Sequence, residues 1–121
     1  MEMPAMPDSL DDLARQLDQF ARDRAWEPFH SPKNLASALS VEAAELLEHF
    51  QWLTEDQSRS LPPEKLEAVG TEVADVLLYL IQLAGKLGID PIAAAQAKLK
   101  LNAIKYPVDV SHGSSTKYNE R

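Results

Sequence analysis

Two pairs of acidic residues occupy equivalent positions in two stretches of this sequence that otherwise have the pattern of buried helix. The first pair lies in SVEAAELLEHFQW, residues 40–52, and the second lies in TEVADVLLYL, residues 71–80. Within each pair the acids are three residues apart, and a helical period places them at the margin of an apolar stripe. The four acids are Glu42, Glu45, Glu72 and Asp75.

Carboxylates at the margin of a core are costly to desolvate, so their position suggests a chemical role. If the two helices pack as antiparallel neighbours, the four carboxylates face one another across a groove. They would then repel, and a divalent cation would remove the repulsion. Oxygen ligands, without cysteine or a ligand-spaced histidine pair, favour Mg²⁺, with Mn²⁺ as the alternative, over zinc.

Two other interpretations of the acids stay open at this point. A di-iron centre of the helical-bundle type requires Glu-x-x-His on two helices. Here the third residue after Glu45 is Glu48, and His49 comes one position late. Acids three residues apart also occur on solvated helix faces, where they bind nothing. The repetition of the spacing beside two apolar stripes favours the metal site.

Four helices are predicted to position these residues, because apolar residues follow the helical period between recognisable end signals. Ser9, Ser31 and Asp90 have the pattern of N-terminal caps, while Gly88 and Pro107 end the helices before them. The predicted helices cover residues 10–26, 32–53, 64–87 and 91–105. The segment between the second and third helices is predicted to be a polar link. Short links make consecutive helices neighbours, so the predicted fold is all-α and resembles a four-helix bundle.

The predicted core consists of one apolar stripe on each of the first three helices. On the first helix the stripe is Leu10, Leu13, Leu17 and Phe20. On the second and third helices the stripes are Leu35, Leu39, Ala43, Leu46, Phe50 and Leu53, and Val69, Val73, Val76, Leu80, Leu83 and Leu87. Trp52 follows the same margin of the second helix as the acids.

Composition restricts the classes of function. A length of 121 residues suits one domain, which we expect over residues 9–107, with a flexible N-terminus over 1–8 and a polar, non-helical tail over 108–121. The net charge of −7 disfavours a nucleic-acid partner. No apolar run reaches the about 18 residues of a membrane span, so no membrane partner is expected. The absence of cysteine and of a signal-peptide pattern predicts a cytoplasmic protein.

Several motifs besides the acids resemble one family. The segments RAWEPFHSPKNLASAL, ELLEHFQW and EVADVLLYLIQLA and the ending KLKLNAIKYP…SSTKY are similar to the MazG-like all-α nucleoside triphosphate pyrophosphohydrolases. Within that family they resemble the dCTP pyrophosphatase branch, over residues 10–118. One departure is Leu17, which stands where the vertebrate dCTP enzymes carry a histidine in the nucleotide pocket, and it leaves the base preference open.

The resemblance implies hydrolysis of a nucleoside triphosphate, with dCTP as the first expectation, between the α and β phosphates. The products would be the monophosphate and pyrophosphate, and the role would be removal of surplus or modified nucleotides. It also implies that Glu42, Glu45, Glu72 and Asp75 bind Mg²⁺. The chain would form a homo-oligomer, a tetramer in this branch, with sites at a subunit interface. Glu45 is the preferred general base, and Glu48, which points outward, is the second candidate.

Substrate-binding candidates fall into a base-binding and a phosphate-binding set. The first set follows the family's nucleoside-binding stretch and the rings beside the acids, and consists of Trp26, Glu27, Phe29, His30, Trp52 and Tyr79. The second set lies on one face of the fourth helix and in the tail, and consists of Lys98, Asn102, Lys105, Lys117 and Tyr118. Core packing, a solvated basic face and a disordered tail are the competing explanations for these residues.

Two rival functions accompany the dCTP hypothesis. One is a pyrophosphohydrolase that acts on another nucleoside triphosphate or on a broad set of them. The other is a non-enzymatic helical interaction module, in which the acids are merely solvated and magnesium has no effect.

Overall fold

The structure, a computed structural model, describes residues 9–113, and within that range every regular element is a helix. The elements are α1 (Leu10–Asp23), α2 (Pro32–Glu48), α3 (Glu55–Arg59), α4 (Pro63–Lys86), α5 (Pro91–Lys105) and α6 (Val108–Ser111), with a 3₁₀ turn at Glu27–Phe29 between α1 and α2. The all-α prediction is therefore confirmed for the described residues.

The predicted helix caps are present. Ser9 Oγ accepts a hydrogen bond from the Asp12 amide at 3.1 Å, and Ser31 Oγ accepts one from the amide three residues later at 3.1 Å. Asp90 caps α5 by accepting from two successive amides. Gly88 has a φ of 67°, the left-handed conformation that commonly follows a helix C-terminus. These side chains and this glycine set where the long helices begin and end.

Two predicted helices end earlier than their apolar pattern suggested, and two short helices were missed. α1 ends at Asp23 because the chain turns at Ala25, whose φ is 54°. α2 ends at Glu48 instead of residue 53, so the expectation that Trp52 continues its acidic margin was wrong.

Short helices lie in both segments predicted to be non-helical. The predicted polar link contains α3, whose first turn is closed by a reciprocal capping box between Thr54 and Gln57. Such a box stabilises one turn without an apolar period. The other short helix, α6, lies at the start of the predicted polar tail.

The long helix α4 packs against α2 along much of its length and also contacts α1. Leu35, on α2, is the most enclosed large side chain, at 1% exposure, and Ala21, Ile81 and Ala84 are the other buried apolar residues among those described. Five residues of the predicted stripes are instead exposed: Phe20, Ala43, Val73, Leu80 and Leu87. That part of the core prediction was wrong, because a single-helix period does not say where neighbouring helices cross.

α4 retains an uncovered apolar stripe within the single chain. Its exposed members are Leu66, Val73, Leu77, Leu80 and Leu87, whose intervals of seven, four, three and seven residues place them on one face. By length and composition the 24-residue α4 could also span a membrane. It carries Glu72 and Asp75, however, and acidic residues are rare in membrane-spanning helices. The absence of a membrane partner stays a prediction.

The chain divides into two compact units, one ending at Gly88 and the other beginning at Ile89. The first unit contains α1 to α4. The second contains α5 and α6, and α5 exposes Ile92, Leu99, Leu101 and Ile104.

Leu35→Ala should lower the free energy of unfolding by about 2–5 kcal/mol, because it leaves a cavity at the most enclosed position of α2. Leu99→Ala, the same change at a side chain that is 68% exposed, should cost about 0.5 kcal/mol or less. Urea denaturation followed by far-ultraviolet circular dichroism measures both. Equal losses for the two variants would contradict the packing described here.

Candidate active site

Three carboxylates converge where α2 packs against α4. Glu42 and Glu45 are three residues apart on α2, and Glu72 lies on α4. One carboxylate oxygen from each lies within 4.8 Å of the others, and all three side chains are half-buried. The predicted spacing on one helix and the packing of the second therefore bring these acids together. We call Glu42, Glu45 and Glu72 the acidic triad.

The acidic triad perturbs its own ionisation. Burial, together with Glu72 and the charge of Asp75, raises the pKa of the Glu42 carboxyl above its ordinary value of 4.5. The pKa of Glu45 is raised first by its hydrogen bond with Glu42, then by the Glu42 charge and by burial. Both shifts show that full ionisation of the triad is unfavourable in the chain alone.

Two oxygens of the acidic triad fit a cation that the protein alone does not supply. Oε2 of Glu42 and Oε2 of Glu72 are buried, and no described residue forms a hydrogen bond with either oxygen. A buried carboxylate oxygen without a donor is costly, and a hard divalent cation satisfies several such oxygens at once. Neither cysteine nor histidine belongs to this cluster, so the donor set suits Mg²⁺ or Mn²⁺.

The structure places the other two predicted acids outside the triad. Asp75 is half-buried, and its charge contributes to the raised pKa of Glu42. Glu48 is exposed, as its position on the helix predicts, and its charge contributes the smallest of the effects that raise the pKa of Glu45. The structure therefore groups three of the four predicted metal ligands most closely and leaves Asp75 on the adjoining surface.

That adjoining surface belongs to a cavity of about 390 Å³, which α1, α4 and the segment after α1 enclose together. Among the residues that line it are Leu17, Trp26, His30, Asp75, Tyr79 and Gln82. Three predicted substrate-binding side chains, Trp26, His30 and Tyr79, thus lie around one cavity with the predicted metal ligand Asp75. Flat rings, apolar walls and a few polar groups suit a planar heterocycle.

Local backbone structure holds two of the rings in place. The turn after α1 is closed by a hydrogen bond from the Trp26 amide to the Ala21 carbonyl at 2.9 Å. The Trp26 ring then meets the rings of Phe20 and His30 edge-on, with centroids 5.7 and 6.3 Å away. The amide side chain of Asn34 donates to the Phe29 carbonyl at 3.0 Å and so ties the 3₁₀ turn to α2.

Three predicted substrate-binding residues of the first compact unit do not line this cavity. Glu27 forms an ion pair with Arg22 at 3.6 Å and lines a smaller neighbouring cavity. Phe29 and Trp52 are 67% and 86% exposed and line neither cavity. Lys98, Asn102 and Lys105 belong to the second compact unit, and Lys117 and Tyr118 lie outside the described residues. A substrate-binding role for the predicted phosphate-binding set, which consists of these three residues of the second unit and the two outside the described range, stays a prediction.

Two polar residues that line this cavity, Gln16 and Gln82, were not predicted from the sequence. Gln82 is the one that lies on the same helix as two of the acids. It lies three residues after Tyr79 and seven after Asp75, so it continues the polar edge of α4 that starts at Glu72. The same helical count that found the acids would have found it. Its amide carries no charge and matches no metal-ligand pattern, so only its place on this edge distinguishes it in the sequence.

Comparisons with known proteins find one family along most of the chain. The profile of the MazG-like family matches residues 37–120. The chain is 41% identical to mouse (Mus musculus) dCTP pyrophosphatase 1 and 39% identical to the human (Homo sapiens) protein of that name. Each alignment covers 93% of this chain and 67% of the relative. The crystal structure of a pyrophosphatase from Archaeoglobus fulgidus superposes with a TM-score of 0.73 at 39% identity, over 88% of this chain and 99% of that one.

Glu42→Gln should raise the melting temperature of the metal-free protein at about pH 8, and raise it less at about pH 5. Because the pKa of Glu42 is raised above 4.5 in the folded chain, the folded state binds more protons than the unfolded state just above that value. Stability therefore falls as pH rises through this window. Glu42→Gln replaces the carboxylate by a neutral amide and so removes the negative charge that causes this loss of stability.

Added Mg²⁺ should raise the melting temperature of the wild type and leave that of Glu42→Gln almost unchanged. Differential scanning fluorimetry with and without EDTA measures both effects. The matched control is Glu67→Gln, at an exposed acid of α4 outside the acidic triad. If Glu67→Gln behaved as Glu42→Gln does, the repulsion would not be specific to the triad.

Proposed function

This chain belongs to the MazG-like family and is a nucleoside triphosphate pyrophosphohydrolase, and from that premise we propose that it hydrolyses dCTP with the help of Mg²⁺. The products would be dCMP and pyrophosphate. The observation that carries the proposal is the acidic triad, with two buried carboxylate oxygens that lack partners, beside an aromatic cavity that contains Asp75. The two features supply the two halves of a nucleotide site, one for phosphates and one for a base.

Within this proposal Glu42, Glu45 and Glu72 would hold the ion. Asp75 lines the aromatic cavity and its charge acts on Glu42, so it would adjoin both halves of the site. A bound divalent ion would neutralise charge on the triphosphate oxygens. Glu45 is half-buried in the acidic triad beside the proposed phosphate site, which is where a general base has to lie.

Glu45 would accept a proton from the attacking water. The water oxygen forms a bond to one phosphorus of the α–β anhydride while the anhydride P–O bond breaks in line with it. The phosphate group on the far side of that bond leaves with its electron pair: it is pyrophosphate when the α phosphorus is attacked and dCMP when the β phosphorus is attacked. Glu48 remains the second candidate for the base, with its exposed position as the argument against it.

The base would occupy the aromatic cavity, in contact with Trp26, His30 and Tyr79. The choice of dCTP is supported by the mammalian relatives, which are named dCTP pyrophosphatase 1. The alternative is a broader set of nucleoside triphosphates, which the same cavity would admit if the rings alone held the base. The rival of a non-enzymatic module is set aside, because the relatives are named as pyrophosphatases.

The proposal includes a homo-oligomer, with a tetramer as its expected size. The five exposed residues of the α4 stripe are supporting evidence, as are the few fully buried side chains among the described residues. A second copy of this chain would cover the stripe, and the regular spacing suits packing against another helix. The cytoplasmic location and the absence of a nucleic-acid partner stay predictions.

Pyrophosphate release from a panel of ribo- and deoxynucleoside triphosphates, with and without Mg²⁺, tests the activity. The wild type should require Mg²⁺ and act fastest on dCTP. Glu42→Gln and Glu72→Gln should each lower kcat by about 100-fold or more, because each removes an ionised ligand. Glu67→Gln should keep the wild-type rate. Hydrolysis without a divalent ion, or full activity of Glu72→Gln, would contradict the assigned role of the triad.

Leu66→Glu should reduce the assembly to smaller species while the helical circular dichroism spectrum is kept, because a buried charge without a partner opposes an apolar interface. Size-exclusion chromatography with light scattering measures the mass. Thr71→Glu, an exposed position of α4 outside the stripe, is the control and should leave the mass unchanged. A monomeric wild type would refute the oligomer, and an unchanged mass in Leu66→Glu would refute this interface.

A further inference from the structure

Gln82 presents a polar atom that the protein leaves unsatisfied. Its Oε1 is buried and has no hydrogen-bond partner among the described residues, although the residue lies near the C-terminal end of a regular helix and is only half-buried overall. Native proteins satisfy nearly all buried polar atoms, so each exception calls for an explanation. Neither the proposed metal site nor the attack on phosphorus uses this amide.

Gln82 lies beside the space proposed for the base. It lines the aromatic cavity together with Trp26 and Tyr79, and its Cα lies two helical turns beyond that of Asp75. It also lines the smaller cavity of about 220 Å³, so it stands at the boundary of the two. The terminal torsion of a glutamine side chain is broad and two-fold, so the amide can turn toward the larger cavity at little cost.

We propose that the Gln82 carboxamide pairs with the Watson–Crick edge of the bound base and selects a base that carries an exocyclic amine beside a ring nitrogen. Oε1 accepts a hydrogen bond from the N4 amine of cytosine, and Nε2 donates one to N3. A side-chain amide offers one acceptor and one donor side by side, which is the complement of that edge. The inference rests on the proposed function and adds the group that chooses the base.

The enclosed oxygen is the reason for choosing the amine. The protein gives Oε1 no donor, so the ligand must bring an N–H group, and an exocyclic amine projects beyond the ring toward an enclosed acceptor. Uracil and thymine also present an N–H, but it is the ring N3–H, which does not project beyond the ring as the amine does. The rings around the slot hold any flat base, so a polar group of the lining must supply the discrimination, and Gln82 is the one whose buried acceptor lacks a partner among the described residues.

The test compares two substrates that differ only in the amine: dCTP and the deoxynucleoside triphosphate of 2-pyrimidinone, which lacks the 4-amino group. The wild type should favour dCTP by about 10- to 100-fold in kcat/KM, because the analogue leaves Oε1 without a donor. In Gln82→Leu the kcat/KM values for the two substrates should differ by less than about threefold, mostly because kcat/KM for dCTP falls.

Gln82→Leu should fold, because it removes a buried oxygen that has no partner, and its melting temperature should equal or exceed that of the wild type. Gln82→Met, which keeps the side-chain length, is the second variant and should lose discrimination as well. Gln19→Leu is the matched control. Gln19 is exposed on α1 and donates to Asp23 at 2.7 Å, outside both cavities, so the dCTP preference should be kept.

The outcomes separate this inference from the proposed function. A wild type that releases no pyrophosphate from any nucleotide overturns both. A wild type that hydrolyses nucleotides but treats dCTP and the analogue alike overturns the role of Gln82 alone. The role of Gln82 is also overturned if Gln82→Leu and Gln82→Met keep the wild-type ratio of kcat/KM for dCTP to kcat/KM for the analogue. Loss of the ratio in both variants, with Gln19→Leu unchanged, supports the assignment.

Discussion

The mutual repulsion of Glu42, Glu45 and Glu72 is the constraint on which the rest of this structure depends. Their oxygens lie within 4.8 Å of one another at the contact between the two longest helices. A chain selected for stability alone would place apolar side chains there, because carboxylates at such separations raise one another's pKa values and oppose folding. The helices must supply enough packing elsewhere to hold the acids together. In the proposed function, binding of a cation and a triphosphate would offset this energetic cost.

Regular helices suit this requirement because they fix side-chain directions more tightly than loops do. α2 supplies two acids from one face, and α4 carries Glu72, Asp75, Tyr79 and Gln82 along one edge. That single edge thus runs from the proposed phosphate site to the proposed base site. The irregular segment after α1 contributes the remaining rings, and its conformation is held by backbone hydrogen bonds and by the Asn34 side chain.

The apolar surface of the first compact unit is divided between two tasks. Leu35, Ala21, Ile81 and Ala84 are buried, whereas the α4 stripe stays uncovered within one chain. A small unit that devotes part of its helical surface to a polar site has little area left for a core. Assembly with further copies would restore the missing burial, so the proposed oligomer and the proposed site have a common physical origin.

The sequence by itself determined the helical class, the caps at Ser9, Ser31 and Asp90, and the edge on which the acids lie. These features depend on residues within a few positions of one another, so a helical period and local hydrogen-bonding preferences are sufficient to find them. It also determined the family, through the acidic motifs and the segments around them. Gln82, which was not predicted, also lies on the edge of α4 that the helical period gives for Glu72 and Asp75.

Only the tertiary structure decided which residues act together. It separated Asp75 from the acidic triad, exposed Phe29 and Trp52, and left Val73 and Leu80 uncovered, because each outcome depends on where a second helix crosses the first. It also showed that the Gln82 oxygen lacks a partner. Burial and hydrogen-bond satisfaction depend on residues distant in the chain, and no periodicity within one helix contains that information.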